Sequence, residues 1–441
     1  MTGAEEMADT GRPPPTKMIT MEPPRGMRDI LPDEVGAWHR VEQAAHQLFS
    51  RYGYREIRTP IFEETQLFAR GIGADTDIVA KEMYTFPDRD EEKTSLTLRP
   101  EATAGIVRAV IEHHLDQTDP ALKVYALGPM FRRERPQKGR YRQFHQVDVE
   151  AFGMERPSID VEIIQLALDY LRACGLTESQ LILNSVGDAK CRPAYVETLR
   201  SALRAHKDRL CADCQRRTET NPLRVLDCKV PEDQAIIESL PKISDHLCAE
   251  CRDHFAEVRR ELGLLEIPYE LSHRLVRGLD YYTRTTFEVT SAALGAQNSV
   301  LGGGRYDGLV RDLGGPDLSG IGFALGMERL VMLIPPGPQE SRCDAFLAVL
   351  VPRAFDRALL IQHDLREAGV RVLVDHEARG LKSQMKKADK LGARYVAIMG
   401  EDELADDVWT VRDMTASTQE RVSDVKLAEY IEEKMRGRDA G

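Results

Sequence analysis

The chain has 441 residues, 42% of them hydrophobic and 30% charged, and its 60 basic and 72 acidic side chains give a net charge of −12. This balance is typical of a soluble globular protein of two or three domains and argues against bulk, nonspecific nucleic-acid binding. No apolar run approaches the roughly 20 residues needed to cross a bilayer, and the N-terminus lacks the basic-then-apolar order of a signal peptide, so we expect a cytoplasmic location.

The N-terminal residues 1–24 are rich in Pro, Gly, Thr and acidic side chains, a composition that predicts a disordered tail. Residues 33–54 then place apolar side chains at helical spacing behind Asp33, which predicts an amphipathic helix. Extended segments are predicted next, at 54–63 and 94–101.

A basic hairpin is predicted between residues 122 and 153. The segments 122–135 and 143–153 alternate polar and apolar residues and are joined by a turn that contains Pro and Gly. Around this turn, FRRERPQKGRYRQF carries five Arg and one Lys, opposed by one Glu. Lysine would protect an edge strand equally well, whereas Arg binds phosphate bidentately. A phosphate-rich ligand is therefore favoured, although the chain has no P-loop sequence.

After a predicted helix at 160–175, residues from about 190 to 265 read as charged helices with two CxxC pairs. The pairs Cys211 with Cys214 and Cys248 with Cys251 are separated by 33 residues, with Cys228 between them. This separation is longer than that of the common zinc knuckle. A structural tetrahedral zinc site made of the four cysteines is one interpretation, and reduced surface or core thiols are the interpretation that we favour.

Strand patterns resume at 283–292, 301–310 and 320–334, the last of which predicts a strand that continues into a buried helix. The fold class expected for residues 25–335 is therefore α+β, with an antiparallel sheet interrupted by the helical insertion. Polar residues such as Glu101 and Glu150 stand inside these strand patterns, as does the segment RGLDYY (277–282). Together they indicate a polar pocket.

Residues 335–342 are a linker by composition, and strand and helix patterns alternate through 342–441 as in a compact α/β domain. In this domain Lys382, Lys386, Lys390 and Arg394 recur every four residues, which places them on one helix face. A solvated face is the ordinary explanation, but contact with an RNA backbone is favoured here.

These motifs together resemble class II aminoacyl-tRNA synthetases, and specifically the histidyl-tRNA synthetase family, from residue 24 to near the C-terminus. RTPIFEETQLFARGIG resembles the first class II motif, on which dimers form. GPMFRRERPQKGRYRQFHQVDVE resembles the second and GIGFALGMERL the third. LTLRPEAT and LVRGLDYYTRTTFEV are more specific, since they resemble two signatures peculiar to the histidine enzymes. Neither class I signature occurs.

The resemblance implies ATP-dependent ligation of L-histidine to tRNA(His) through a histidyl-adenylate, with release of pyrophosphate and AMP. It implies Mg²⁺ bound with ATP, a homodimer formed through the first motif, a C-terminal domain that binds the anticodon, and an insertion that contacts the acceptor arm. It does not imply zinc, since the family does not generally require it.

The resemblance also implies roles for individual residues. The catalytic residues are Arg132 and Arg277, both at the α-phosphate. The histidine-binding set is Glu101, Ala102, Thr103, Arg132, Gln146, Glu150, Arg277, Tyr281 and Tyr282. The ATP-binding set is Arg132, Glu134, Arg140 and Arg329. The tRNA-binding set is Arg135, Gln137, Lys138, Lys382, Lys386 and Lys390.

An imidazole ring presents one donor and one acceptor, so Glu150 can accept from its N–H while Tyr282 bonds to the other nitrogen. Two residues depart from the family pattern: Ala102 and Arg284 stand where Gly is usual. Neither replacement removes a ligand-binding side chain, and Arg284 is expected to point outward.

Two other functions fit parts of the sequence. A non-catalytic regulatory relative would bind histidine without charging tRNA, and an RNA-binding module would leave the polar pocket unexplained. The RGLDYY signature, the basic loop and the C-terminal domain together favour the ligase.

Overall fold

The structure is a computed structural model that describes residues 21–73, 76, 78–88, 94–337, 341–377 and 379–439. Most of the predicted disordered tail lies outside the described residues. The chain divides into two compact units, the first ending at Pro335 and the second beginning at Pro336. Among the described helices, none combines the length and the apolar character that a membrane span requires.

The strands form three sheets. In chain order they are β1 (Arg55–Glu56), β2 (Phe62–Glu64), β3 (Tyr84–Pro87), β4 (Ser95–Leu98), β5 (Lys123–Phe131), β6 (Gln143–Phe152), β7 (Gln180–Ser185), β8 (Glu270–Leu271), β9 (Thr283–Thr290), β10 (Ser299–Arg305), β11 (Gly320–Gly326), β12 (Ala345–Val349), β13 (Val372–Val374), β14 (Tyr395–Met399), β15 (Val408–Asp413) and β16 (Gln419–Ser423).

The α-helices surround these sheets. They are α1 (Pro32–Arg51), α2 (Thr65–Ile72), α3 (Thr103–Glu112), α4 (Leu115–Thr118), α5 (Pro157–Ala173), α6 (Arg192–Arg204), α7 (Ala212–Thr220), α8 (Pro231–Glu238), α9 (Ala249–Leu264), α10 (Leu309–Asp312), α11 (Met327–Leu333), α12 (Phe355–Glu367), α13 (Leu381–Lys390), α14 (Glu401–Ala405) and α15 (Leu427–Asp439).

The first unit is built on an eight-stranded sheet in the order β1-β5-β6-β11-β10-β9-β7-β8. Its central pairs are antiparallel, and β1 and β8 add parallel edges. The predicted hairpin is confirmed: β5 and β6 pair from Lys123 with Ala151 to Phe131 with Gln143. The sheet order places the second motif beside the third, because β6 pairs with β11. The expected antiparallel α+β core is thereby confirmed.

Helix α1 packs against one face of this sheet through side chains three or four residues apart, as the sequence predicts. Trp38, Val41, Ala45 and Phe49 are buried in the main core together with residues of α5. The helix begins at Pro32, a position where the missing N–H costs no hydrogen bond. The acidic residues in its first turn interact favourably with the positive end of the helix dipole. The order β2-β4-β3 forms a separate small sheet within the same unit.

The insertion contains α6 to α9 and has its own apolar cluster, which includes Tyr195, Leu199, Leu203 and Ile237. In the second unit, five strands pair in the order β13-β12-β14-β15-β16. The alternation predicted up to β14 is present. The hairpin of β15 and β16 and the helix α15 were missing from the sequence interpretation. Of these elements, β16 gives little apolar signal, because it is polar and exposed except at Val422.

Candidate active site

A cavity of about 310 Å³ lies in the first unit. It brings together residues from β6, β11, the N-terminal end of α3 and the loop before β9. Except for Ala102, every residue that the resemblance assigns to histidine or ATP lines it. These residues are Glu101, Thr103, Arg132, Glu134, Arg140, Gln146, Glu150, Arg277, Tyr281, Tyr282 and Arg329. Side chains that are far apart in sequence therefore share one pocket.

Glu150 is buried in the cavity, where two hydroxyl groups donate to its carboxylate. Thr103 Oγ1 lies 2.6 Å from Glu150 Oε1, and the Tyr306 hydroxyl lies 2.5 Å from Oε2. Burial raises the pKa of Glu150 to about 8, and the two hydrogen bonds only partly oppose that rise. Gly322 on the neighbouring strand provides the space, since a Cβ there would lie 1.8 Å from Glu150 Oε2.

Glu150 should make stability depend on pH. Its pKa in the folded chain is about 8, above the ordinary 4.5. The unfolded chain therefore releases this proton first, and folded stability is lost as the pH rises from 4.5 towards 8. Glu150→Gln removes this loss. The free energy of unfolding of Glu150→Gln relative to the unsubstituted protein should therefore rise with pH across that window, by roughly 1.4 kcal/mol per pH unit. The difference between the two melting temperatures should rise in parallel.

Thermal unfolding at a series of pH values measures the effect, with the exposed Glu367→Gln as the matched control. A constant difference between Glu150→Gln and the unsubstituted protein from acidic to alkaline pH would contradict the burial of an ionisable group at this position.

Glu101 has a role that sequence reasoning missed. Its two carboxylate oxygens accept from the backbone N–H groups of Thr103 and Ala104, at 2.8 and 3.0 Å, and so cap the first turn of α3. Ala102, which follows Glu101 in the chain, is 1% exposed and has φ −100°. Any residue can adopt this backbone conformation, which explains why Ala is tolerated where the family usually has Gly.

The basic side of the cavity begins with Arg132. Its Nε donates to the carbonyl of Pro100 at 2.8 Å, and its guanidinium carbon lies 5.2 Å from the centre of the Phe144 ring. These contacts fix the side chain at the end of the hairpin strand. Burial lowers the pKa of Arg132, while nearby acidic groups such as Glu82 and Glu101 oppose this shift.

The tip of the hairpin is a tight turn. Gln137 and Arg140 form two backbone hydrogen bonds across it, and Gly139 has φ +70°, a left-handed conformation that glycine adopts without strain. Arg140 forms an ion pair with Glu134. Arg329 on α11 donates to the carbonyl of Gly139 at 3.3 Å, which joins the third motif to the second. The side chains at the outside of the turn are exposed: Arg135, Gln137 and Lys138.

Arg277 lies against the main chain of β10. Its Nη1 donates to Glu288 Oε1 at 3.0 Å, and its Nε is buried without a hydrogen-bond partner among the described residues. A Cβ at position 302 would lie 2.2 Å from Arg277 Nη2, so the glycine there is required by the close approach. Burial would lower the pKa of Arg277, but Glu288 and Tyr282 raise it on balance, and the side chain stays cationic.

Asp148 is a further cavity residue that the sequence reasoning missed. Both of its carboxylate oxygens are buried without a hydrogen-bond partner within the described part of the chain, as is Gln146 Oε1. Burial and the nearby Glu150 and Glu101 raise the pKa of Asp148 well above its usual value. The signal was available: Gln146, Asp148 and Glu150 alternate along β6 and therefore share one face.

Arg284 does not point outward as expected. Its side chain is 25% exposed and lies 3.9 Å from Asp188 in an ion pair. Its backbone has φ +49°, a conformation that costs a non-glycine residue roughly 1–2 kcal/mol. This position therefore favours the usual Gly of the family, and the contact with Asp188 offsets part of that cost.

In the second unit, Lys382, Lys386 and Lys390 are exposed on α13, and no ion pair is described for them in the residues covered by the structure. Arg394 does not share their helix face, contrary to the prediction. The helix ends at Lys390, and Gly392 at φ +73° follows it in a C-terminal cap.

The four cysteines of the two CxxC pairs do not form one site. Instead, each pair joins one further Cys and one Asp. The Asp188 cluster contains Asp188, Cys191, Cys248 and Cys251, and the Asp233 cluster contains Cys211, Cys214, Cys228 and Asp233. The sequence interpretation overlooked Asp188 and Cys191, whose spacing equals that of a CxxC pair, and left Cys228 without a role.

Comparisons with known proteins were made for the whole chain. A family model described as histidyl-tRNA synthetase matches residues 26–330, and one described as anticodon binding domain matches residues 331–434. A histidine–tRNA ligase of Koribacter versatilis is 52% identical over 418 residues, which are 92% of this chain and 95% of the relative. One from Syntrophotalea carbinolica is 49% identical over 416 residues, 94% of this chain and 98% of the relative.

Among solved structures, the crystal structure of apo Staphylococcus aureus histidyl-tRNA synthetase is similar, with a TM-score of 0.77 and 38% sequence identity. The match covers 93% of this chain and 100% of that one.

Proposed function

The chain belongs to the histidyl-tRNA synthetase family, and from this membership we infer that it ligates L-histidine to tRNA(His) with ATP, through a histidyl-adenylate. The observation that carries the assignment to a site is the cavity, which combines buried hydrogen-bonding groups with four arginines, Arg132, Arg140, Arg277 and Arg329. A small polar amino acid and a polyphosphate can therefore meet there.

We propose that the first step needs positioning and charge stabilisation. The histidine carboxylate attacks the α-phosphorus of ATP, the bond to the bridging oxygen breaks, and pyrophosphate leaves with the electron pair. Arg132 and Arg277 would stabilise the charge that develops on the α-phosphate. Arg140 and Arg329, which share the hairpin tip, would hold the γ-phosphate side.

Mg²⁺ bound with ATP would neutralise phosphate charge, and Glu134 is the carboxylate beside the hairpin arginines. In the second step, a hydroxyl of the terminal ribose of the tRNA attacks the histidyl carbonyl, and AMP leaves.

Recognition of histidine is proposed to depend on Glu150 and Tyr282, with Thr103, Gln146 and Tyr281 around the amino acid. The unpaired Gln146 Oε1 can accept from the amino group of the substrate. Because the buried polar groups of the pocket would remain unpaired against an apolar amino acid, such a pocket rejects it strongly.

We propose that tRNA contacts the exposed outer side of the hairpin tip, at Arg135, Gln137 and Lys138, and the Lys382, Lys386 and Lys390 face of α13. The support is exposed positive charge on a chain that is acidic as a whole. Replacing the three lysines with Ala should raise the KM for tRNA and reduce its salt dependence without changing adenylate formation. The insertion is proposed to contact the acceptor arm.

A homodimer formed through the first motif is supported by apolar side chains on the small sheet. Ile61, Phe62 and Phe86 are 44%, 51% and 40% exposed in the single chain. The rings of Phe62 and Phe86 lie 6.2 Å apart and form one patch. Contiguous exposed apolar side chains of this kind mark an interface, and light scattering of the purified protein measures the mass.

The proposed domain limits are 25–335 and 342–441, and limited proteolysis between these limits would test them. A cytoplasmic location is proposed from the role in protein synthesis, and fractionation of the source cells would check it.

The function is tested by histidine-dependent exchange of pyrophosphate into ATP, followed by charging of tRNA(His). We expect both activities. A regulatory relative would bind histidine without exchange, and an RNA-binding module would bind tRNA without histidine dependence. Absence of exchange with folded protein would exclude the ligase, while exchange without charging would exclude transfer of histidine to tRNA(His).

A further inference from the structure

Two clusters of sulfur and oxygen atoms lie in or at the base of the helical insertion. In each, three Cys Sγ atoms and one Asp oxygen lie within 4.8 Å of one another. In a tetrahedral zinc site, the metal lies about 2.3 Å from each sulfur and about 2.0–2.2 Å from an oxygen. The distances between the ligand atoms of such a site are similar to those in the two clusters. Both clusters therefore already have the dimensions of a four-ligand site.

The backbone around the two CxxC pairs is nearly the same. Cys211 precedes the first residue of α7 with φ −62° and ψ 157°, and Cys248 precedes that of α9 with φ −63° and ψ 166°. In each pair the second cysteine lies in the first helical turn, beside the first. Cys191 likewise precedes α6, and Asp233 lies in the first turn of α8. Helices α6 and α9 thus meet at their N-terminal ends in the Asp188 cluster, and α7 and α8 do so in the Asp233 cluster.

The burial of Asp233 indicates that a cation belongs in its cluster. The side chain is 0% exposed, and it accepts from the backbone N–H of Cys211 at 2.9 Å and from the thiol of Cys228 at 3.3 Å. The thiols of Cys211 and Cys214 also hydrogen-bond to it. A buried carboxylate is stable only where hydrogen bonds or a cation compensate its charge, and a cation at this position would also be in reach of the three sulfur atoms.

The Asp188 cluster has the same ligand types but a more open setting. Asp188 accepts from the backbone N–H of Lys190 and Cys191, at 3.0 and 3.3 Å, and Arg284 lies 3.9 Å away. Cys191 and Cys251 are 6% and 0% exposed. This cluster also lies beside the catalytic core, because Arg192 donates to the main chain of Val186, Gly187 and Tyr282.

Disulfide bonds do not explain either cluster. The nearest sulfur pairs described are Cys191 with Cys251 at 3.9 Å and Cys211 with Cys228 at 4.0 Å, far from a bond of about 2.05 Å. Three cysteines would also leave one thiol unpaired in each cluster. Packing of free thiols as small apolar groups would not explain the carboxylate that each cluster contains.

We propose that each cluster binds one Zn²⁺ through three thiolates and one carboxylate, so that the chain holds two structural zinc ions. Thiolate ligands in tetrahedral geometry select zinc over Mg²⁺ or Ca²⁺, and a site with four protein ligands has a structural role. The zinc in the Asp233 cluster joins α7 to α8 within the insertion. The zinc in the Asp188 cluster joins α6 to α9 where the insertion meets the strands of the core.

The test is metal analysis of the full-length protein, purified without chelator, supplied with Zn²⁺ and dialysed. We expect two zinc ions per chain. Cys214→Ser and Cys251→Ser should each reduce the content to one, and the double variant to zero. The matched control is Cys174→Ser, a cysteine outside both clusters, which should retain two.

A single site made of the four CxxC cysteines would instead give one zinc per chain, lost in both single variants, and this result would overturn the two-site proposal. Protein that retains no zinc after dialysis would overturn both sites.

Misfolding of a variant does not affect a second measurement on the unsubstituted protein. Replacement of zinc by Co²⁺ should give two equivalents of the visible absorption typical of tetrahedral cobalt and the near-ultraviolet absorption of thiolate-to-cobalt charge transfer. Titration that saturates at one equivalent, or that gives only weak octahedral bands, would contradict the proposal.

Discussion

Arg277→Ala is expected to reduce histidine-dependent exchange of pyrophosphate into ATP by about a hundredfold to a thousandfold. The reason is the loss of a fixed cation at the α-phosphate, where removal of one preorganised donor typically has this effect. The guanidinium is held in place by Glu288 at 3.0 Å and by the close approach of Gly302. Because these contacts exist without substrate, most of the loss should appear in kcat.

Two further variants make this prediction specific. Arg277→Lys keeps the charge but not the planar fork, and it should recover only part of the activity. Arg311→Ala removes an exposed arginine that pairs with Asp317, and it should leave exchange unchanged. An Arg277→Ala protein with unaltered exchange would exclude Arg277 from the chemistry.

Arg305→Leu is expected to destabilise the first unit by about 3–5 kcal/mol. Arg305 is fully buried and forms ion pairs with Asp160 and with Asp307, the latter at 3.0 Å. Asp160 also contacts His254 Nε2 at 2.8 Å, so the network joins β10 to α5 and α9. Removing the arginine leaves a buried carboxylate with a single partner, and breaking a buried ion pair in this way typically has a cost of this size.

Denaturant unfolding followed by fluorescence measures this effect. The chain has two tryptophans, Trp38 in the first unit and Trp409 in the second, so a Trp409→Phe background reports the first unit alone. The exposed Arg311→Ala should cost less than about 1 kcal/mol. Adding Asp160→Asn to Arg305→Leu should restore part of the stability, because the uncompensated charge is gone. Equal costs for Arg305→Leu and Arg311→Ala would disprove the role of the network.

Much of the fold could be predicted because its signals are local. Alternation over nine or ten residues predicts β5 and β6, and the spacing of Trp38, Val41, Ala45 and Phe49 predicts α1. The order of strands in the large sheet is a different matter, since β6 pairs with β11 across more than 150 residues of chain. No periodicity within a window encodes such a pairing, so the strand patterns predicted one antiparallel domain but not the order of its strands.

The candidate site shows the same division. Asp148 could have been found from alternation with Gln146 and Glu150, because that signal is local. The ion pair of Arg284 with Asp188 and the grouping of cysteines could not be found in this way, because they depend on how the insertion folds back onto the core. The spacing of the cysteines along the chain permits several groupings, and only the packing of α6 to α9 selects the observed one.

The close approach of Arg277 to Gly302 has a consequence for redesign of the enzyme. On this side, the cavity is bounded by main chain, and the next strand contributes another glycine at position 322, where a Cβ would collide with Glu150. Main chain cannot be trimmed by substitution, so this boundary cannot be moved to admit a bulkier amino acid. Any attempt to change substrate choice must therefore act on the side chains that line the cavity, such as Glu150, Tyr281 and Tyr282, which can be exchanged.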